Sequence, residues 1–229
     1  MKKSIVLLSS GLDSLVNLSI ADQKTDIELI ITFDYGQKAA NNEIENAKNI
    51  AVFYKKKHKV IKLDFFKEFA ESSLLKDNEL PPQIKEKDLK NNNLMERYAE
   101  NVWIPNRNSI FINIAAGYAE YMNVDYIITG FNIEEAETFS DNSAQFVERM
   151  NSLFQYSVRK KIKLISYTLN LNKKEIVELG LKLKIPFEMI WSCYMGGEKM
   201  CGKCESCQRI KKSVRDTDVW KIMEERFEN

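Results

Sequence analysis

Short apolar runs rich in β-branched residues recur along this chain, and the stretches between most of them are long enough for helices. Lys3 to Leu8, Ile27 to Phe33, Lys59 to Leu63, Tyr126 to Thr129 and Ile162 to Ile165 read as five buried strands. Helices are expected from near Asp13 and Ser14, from about Ala39 to Tyr54, from about Ser109 to Met122 and from Ser143 to Val158. Another, capped by Asn172, runs to about Leu183 before Pro186. Strands alternating with helices close as a parallel sheet covered on both faces. The fold class is therefore α/β with a parallel sheet of about five strands. Ligands in such sheets sit beyond the carboxyl ends of the strands. Three turns at those ends carry small or polar residues: Ser9-Ser10-Gly11, Asp34-Tyr35-Gly36 and Gly130-Phe131-Asn132.

Ser72 to Asn101 differs in character. It holds Pro81-Pro82, an Asn91-Asn92-Asn93 run and many charges, with no sustained apolar period. It reads as an insertion, residues 72–101, within a domain of residues 1–190, partly helical and partly mobile: a solvated surface excursion, or in a sharper reading a lid. The formal net charge of +1 weighs against a duplex-binding protein, and no direct nucleic-acid partner is expected. No run reaches the roughly 18–20 apolar residues of a membrane span. Ile5 to Leu8 is too short a run for a signal peptide, so a cytoplasmic location is expected.

Leu8-Ser9-Ser10-Gly11-Leu12-Asp13-Ser14 leaves a strand and opens a helix. Small residues let backbone approach a phosphate, the helix start offers free N–H groups and a positive dipole end, and three serine hydroxyls add donors. Asp13 is unusual beside an anion and is expected to act through a metal ion or by fixing the loop. The loop lacks the Gly-Lys-Ser/Thr of a Walker site and the Gly-X-Gly-X-X-Gly of dinucleotide folds. The plain alternative is a serine-capped strand-to-helix turn.

All four cysteines, Cys193, Cys201, Cys204 and Cys207, lie near the C-terminus. Two overlapping C-x-x-C pairs let thiolates converge on one metal, and Gly196-Gly197 lets the intervening loop bend back. Structural Zn²⁺ in a C-terminal segment, residues 191–229, is the expectation; an iron–sulfur cluster is the rival.

The loop resembles the Ser-Gly-Gly-X-Asp-Ser pyrophosphate loop of the ATP pyrophosphatase (PP-loop) superfamily, with Ser10 in place of a glycine. That resemblance implies a Rossmann-like adenine nucleotide α-hydrolase fold. In order along the chain come Phe33-Asp34-Tyr35-Gly36-Gln37, Ile104-Pro105-Asn106-Arg107-Asn108, Gly130-Phe131-Asn132, Trp191-Ser192-Cys193-Tyr194 and Cys201-Gly202-Lys203-Cys204-Glu205-Ser206-Cys207. Together these resemble the QueC family of 7-cyano-7-deazaguanine synthases, over nearly the whole chain. The resemblance implies a ligase in queuosine and archaeosine precursor biosynthesis. It would use ATP with Mg²⁺ to adenylate 7-carboxy-7-deazaguanine, admit ammonia, and dehydrate the amide to the nitrile, as a homodimer.

On that reading Leu8 to Ser14, Asp34, Tyr35 and Gln37 hold ATP. Arg107 stabilises charge at phosphate or carboxylate, Glu134, Glu135, Asp141 and Asn142 are the candidates for reading the base edge, and Asn108, Gly130 and Asn132 are further catalytic or substrate candidates. Two departures from many family members bear on the base or the acceptor amine. Lys38-Ala39 stands where Arg-His is common, and Thr138 to Ser143 stands where a Gly-Tyr-Pro-Asp-Cys-Arg-like segment is common. Transfer to another amine is a variant of this reading. A tRNA thiolase carrying an iron–sulfur cluster and a non-catalytic adenine-nucleotide-binding module are the rival functions. His58, the single histidine, is expected at the surface, and Trp191 in the core.

Overall fold

The computed structural model describes residues 1–76 and 79–228. The five expected strands are present: β1 Lys3–Leu7, β2 Asp26–Asp34, β3 His58–Lys62, β4 Tyr126–Ile128 and β5 Lys163–Ile165. They form one all-parallel sheet in the order β3-β2-β1-β4-β5. The chain winds outward from β1 to β3, then returns to build β4 and β5 on the other side. The reversal point lies between β1 and β4, where a crevice opens at the carboxyl ends of the strands.

The helices are α1 Leu12–Lys24, α2 Ala40–Phe53, α3 Asn92–Val102, α4 Arg107–Tyr121, α5 Ile133–Ala136, α6 Ala144–Ser157, α7 Lys173–Leu183, α8 Glu205–Val214 and α9 Trp220–Glu224. Alternate strand residues feed opposite cores, as the pleat requires. Val6, Ile30 and Ile128 pack with α1, α2, α7 and α8 on one face. Ile5, Ile31 and Ile127 pack with α3, α4 and α6 on the other. The cysteine-bearing segment shares the first core, contributing Met200, Ile210, Val214, Met223 and Phe227.

The stretch read as a solvated excursion is in large part packed. Ser72 and Ser73 are fully buried, and Leu74, Leu75 and Ile84 join the second core. Within α3 the buried residues are Met95, Tyr98, Ala99 and Val102, a helical stripe that the sequence reading did not find. Gln83 bridges to Cys204, and Ile84 N–H donates to Lys203 O at 3.0 Å, so the stretch is tied to the cysteine segment. Asp77 and Asn78, inside the expected insertion, lie outside the described residues. His58 is half-buried rather than superficial, with Nε2 2.9 Å from Thr32 Oγ1.

Candidate active site

The turn after β1 enters α1 without a side-chain cap, so the first N–H groups of that helix stay free. Ser14 Oγ donates to Gly11 O at 3.0 Å, and the Ser9 and Ser14 hydroxyls lie 3.3 Å apart. Ser10 adopts φ 60°, the left-handed region a glycine would enter freely, and its hydroxyl is buried without a partner. Across the crevice Gly130 closes on the loop. A Cβ there would stand 2.6 Å from Ser14 N, so only glycine lets the end of β4 approach this closely.

Asp13 is bound by Lys173 at the start of α7, and Lys173 Nζ also donates to Glu135 at 2.8 Å. Burial opposes the ammonium, but the two carboxylates more than offset it and raise the Lys173 pKa. One cation shared between two carboxylates leaves an excess negative charge. Burial therefore pushes the Asp13 carboxyl up to about 6, against the pull of Lys173. Lys173 holds the loop from outside it, and Asp13 Oδ1 is left buried with no hydrogen-bond partner.

A cavity of about 270 Å³ extends from this loop to the end of β2. It brings together Leu8, Ser9, Gly11, Leu12, Asp13, Ser14, Tyr35, Arg107, Asn108 and Gly130 of the expected set. Glu135 and Asn142, two of the base-edge candidates, also line it, and the remaining expected residues stand behind it. Gln37 is buried and braces the turn, its Oε1 accepting from Tyr35 N at 2.9 Å and its Nε2 donating to Phe33 O at 3.2 Å. Asp34 accepts from Gly36 N. Asn132, fully buried, caps α5 through Glu135 N. Glu134 binds Lys173 N at 2.8 Å and Arg209 at 3.1 Å. Asp141 flanks Arg107 rather than lining the cavity; burial raises its pKa, with Arg107 opposing.

Lining residues outside the expected set include Lys173, Glu43, Phe111, Ser192, Tyr194, Glu205 and Ser206. Trp191 belongs to the core as expected, yet it also lines the cavity, with Nε1 unpartnered. Arg107 lies over the Tyr35 ring, 5.6 Å from its centroid, and donates to Tyr35 OH at 3.4 Å. Phe33 and Phe111 stack at 4.1 Å beside them.

The cysteine segment reaches the cavity directly. Trp191 N–H donates to Ser10 O at 3.0 Å, and Tyr194 OH donates to Glu205 at 3.2 Å. The ligand sulfurs of Cys193, Cys201, Cys204 and Cys207 all lie within 4.8 Å of one another. Backbone N–H groups of Met195 and Cys201 point at Cys193 Sγ, at 3.2 and 3.3 Å, a setting that favours thiolate. The four cysteines form a cluster capable of holding a metal.

Residues 3–218 match the family described as queuosine biosynthesis protein QueC. The 7-cyano-7-deazaguanine synthase of Carboxydothermus hydrogenoformans is 49% identical over 93% of this chain and 98% of its own. That of Pelotomaculum thermopropionicum is 47% identical over 93% of this chain and 96% of its own. That of Methanosarcina mazei is 40% identical over 95% of each. Among solved structures, a 4-thiouridine synthetase–RNA complex with bound ATP shares the fold. It is 18% identical, at a TM-score of 0.50, over 98% of this chain and 53% of that one. No helix of the described residues is long and apolar enough to cross a membrane. A match over nearly its whole length, with relatives at 40–49% identity, places this chain in the QueC family of 7-cyano-7-deazaguanine synthases, ATP-dependent ligases that form carbon–nitrogen bonds.

Proposed function

We propose that the cavity carries out two successive adenylations of one substrate. The carboxylate of 7-carboxy-7-deazaguanine attacks the α-phosphorus of ATP and displaces pyrophosphate. Ammonia adds to the acyl carbon, loses a proton and expels AMP, leaving the amide. The amide oxygen attacks a second ATP, and loss of the N–H protons with departure of AMP gives the nitrile. Both carboxylate oxygens thus leave on AMP. A carboxylate oxygen is a poor leaving group and AMP a good one, so the protein's work is positioning and charge stabilisation.

The observation that carries this reading is that one cavity joins the uncapped loop Ser9–Ser14 and Lys173 to Arg107 and Asn108. Loop N–H groups and hydroxyls hold the phosphates, Lys173 fixes the loop through Asp13 and offsets part of its carboxylate charge, and Arg107 donates to a substrate oxygen. Asp34 and Gln37 shape the turn behind Tyr35 rather than touching nucleotide, and Asn132 and Glu134 hold α5 and Lys173 in place. Mg²⁺ would neutralise phosphate charge, and the partnerless Asp13 Oδ1 suits a hard cation.

For the cysteine cluster we favour Zn²⁺. A zinc ion bonded at about 2.3 Å to four thiolates sets the sulfurs about 3.8 Å apart, and Cys201 and Cys207 stand at 4.0 Å. An iron–sulfur cluster, several atoms across, spreads its ligands further. Its role would be structural, holding Tyr194 and Glu205 at the cavity. Family resemblance supports a cytoplasmic homodimer, checked by light scattering. The test of the chemistry is substrate labelled with ¹⁸O in the carboxylate: label is expected in AMP and none in pyrophosphate. Label in phosphate, or in water alone, would refute adenylation.

A further inference from the structure

Four carboxylates line the cavity: Asp13, Glu43, Glu135 and Glu205. Asp13 and Glu135 are bound to Lys173, and Glu205 to Arg209. Glu43, on the first turn of α2, has no ion-pair partner among the described residues. One of its oxygens, Oε2, accepts from Gln37 Nε2 at 2.9 Å. Gln37 is itself fixed by the Tyr35 N–H and the Phe33 carbonyl, so the carboxylate is held by a buried amide rather than neutralised. No donor among the described residues reaches Oε1. Arg107 stands near enough to act on the Glu43 charge, and the aromatic rings of Phe33, Tyr35 and Phe111 lie alongside. Burial raises the Glu43 carboxyl to about 7, the cost of keeping an acceptor there unpaired.

We infer that Glu43 is the specificity-determining residue that reads the donor edge of the substrate base, an inference that rests on the proposed deazaguanine reaction. A guanine-type edge presents a carbonyl acceptor followed by two donors, the ring N–H and the 2-amino group. A carboxylate accepts both donors, and the neighbouring guanidinium of Arg107 donates to the carbonyl. An adenine edge presents an acceptor nitrogen and one amino donor, so the same carboxylate would face a lone pair. Glu134 and Glu135 do not have this freedom, since Arg209 and Lys173 occupy them. Asp141 does not line the cavity.

The test is calorimetric titration of the full chain with 7-carboxy-7-deazaguanine and with the analogue lacking the 2-amino group, followed by the same titrations on Glu43→Gln. ATP affinity and the far-ultraviolet circular dichroism spectrum serve as controls. Wild type is expected to bind the amino compound about 30-fold more tightly, because losing a donor strands a buried acceptor. In Glu43→Gln that ratio should fall to about 3 or less with ATP affinity unchanged. Equal affinities in wild type would overturn the inference without recourse to any variant. So would an unchanged ratio in Glu43→Gln, or a loss of ATP affinity in place of base affinity. If wild type binds ATP but neither base, the deazaguanine reading fails and this inference fails with it.

Discussion

The two ends of the cavity handle charge in opposite ways. At the loop end, Asp13, Lys173 and Glu135 form a closed ionic set, and Glu205, Arg209 and Glu134 form a second. At the β2 end, Glu43, Tyr35 and Arg107 share one short pocket wall with no ion pair between them. A phosphate-binding loop works on every turnover with the same ligand, so its geometry gains from being fixed in advance. A base-reading wall must offer acceptors and donors that are satisfied only when the right edge arrives, and it tolerates the cost of leaving them open. On the proposed function, the difference separates a pre-assembled half from a half completed by substrate.

The sharpest break in that contrast comes at Lys173. On the proposed function, Lys173→Met strands the Asp13 and Glu135 carboxylates beside the phosphates and should lower kcat by roughly 10²–10³-fold. Stopped-flow turnover would read the loss, and near-normal kcat would mean the ionic set is scaffolding only. Gly130→Ala drives a methyl into the backbone at Ser14. Displacing the loop by a fraction of an ångström should lower kcat/KM by about 10²-fold, with the metal content unchanged.

The β2 end should show its cost in stability. The folded-state pKa of Glu43 is about 7, above its ordinary value of 4.5. Gln37, Arg107, Asp34 and Tyr35 are the groups facing it. An acid whose pKa is raised on folding destabilises the fold as it ionises, so the cost is absent below about pH 4.5 and complete above about pH 7. Glu43→Gln should therefore match wild type at pH 4 and exceed it by on the order of 2 kcal/mol at pH 8, after allowance for water at the open oxygen. Denaturant titrations at the two pH values decide it; an equal gain at both would remove the electrostatic cause. The smallest effect is expected at Ser10, where Ser10→Gly relieves a left-handed backbone and removes an orphaned hydroxyl. A gain of about 1 kcal/mol, or a few degrees in Tm, is expected for a chain of this size.

What the sequence disclosed follows the same division. The sheet, the phosphate loop and the cysteine cluster are local in sequence, so periodicity and spacing expose them. Helix was expected within the insertion, but the burial of α3 is masked because Asn91-Asn92-Asn93 and neighbouring charges dilute a buried stripe of four residues. Lys173 was hidden because its partner Asp13 lies 160 residues away. One signal could have marked it: a lysine at the first position of a helix opposes the dipole and calls for a carboxylate partner. Glu134 and Glu135 follow a strand end, as a base reader might be expected to, but spacing cannot reveal that a cation already holds them. Glu43 stands one and two turns before Ala47 and Ile50, on the buried face of α2, so a glutamate in register with an apolar stripe was the one signal the sequence carried for it.

The most direct measurement is one incubation of the protein with 7-carboxy-7-deazaguanine, ammonium, Mg²⁺ and ATP, with base and nucleotide followed by mass spectrometry. Appearance of 7-cyano-7-deazaguanine with matching formation of AMP and pyrophosphate is the expected result. An unchanged base, in protein that still binds ATP and retains its cysteine-bound metal, would contradict it.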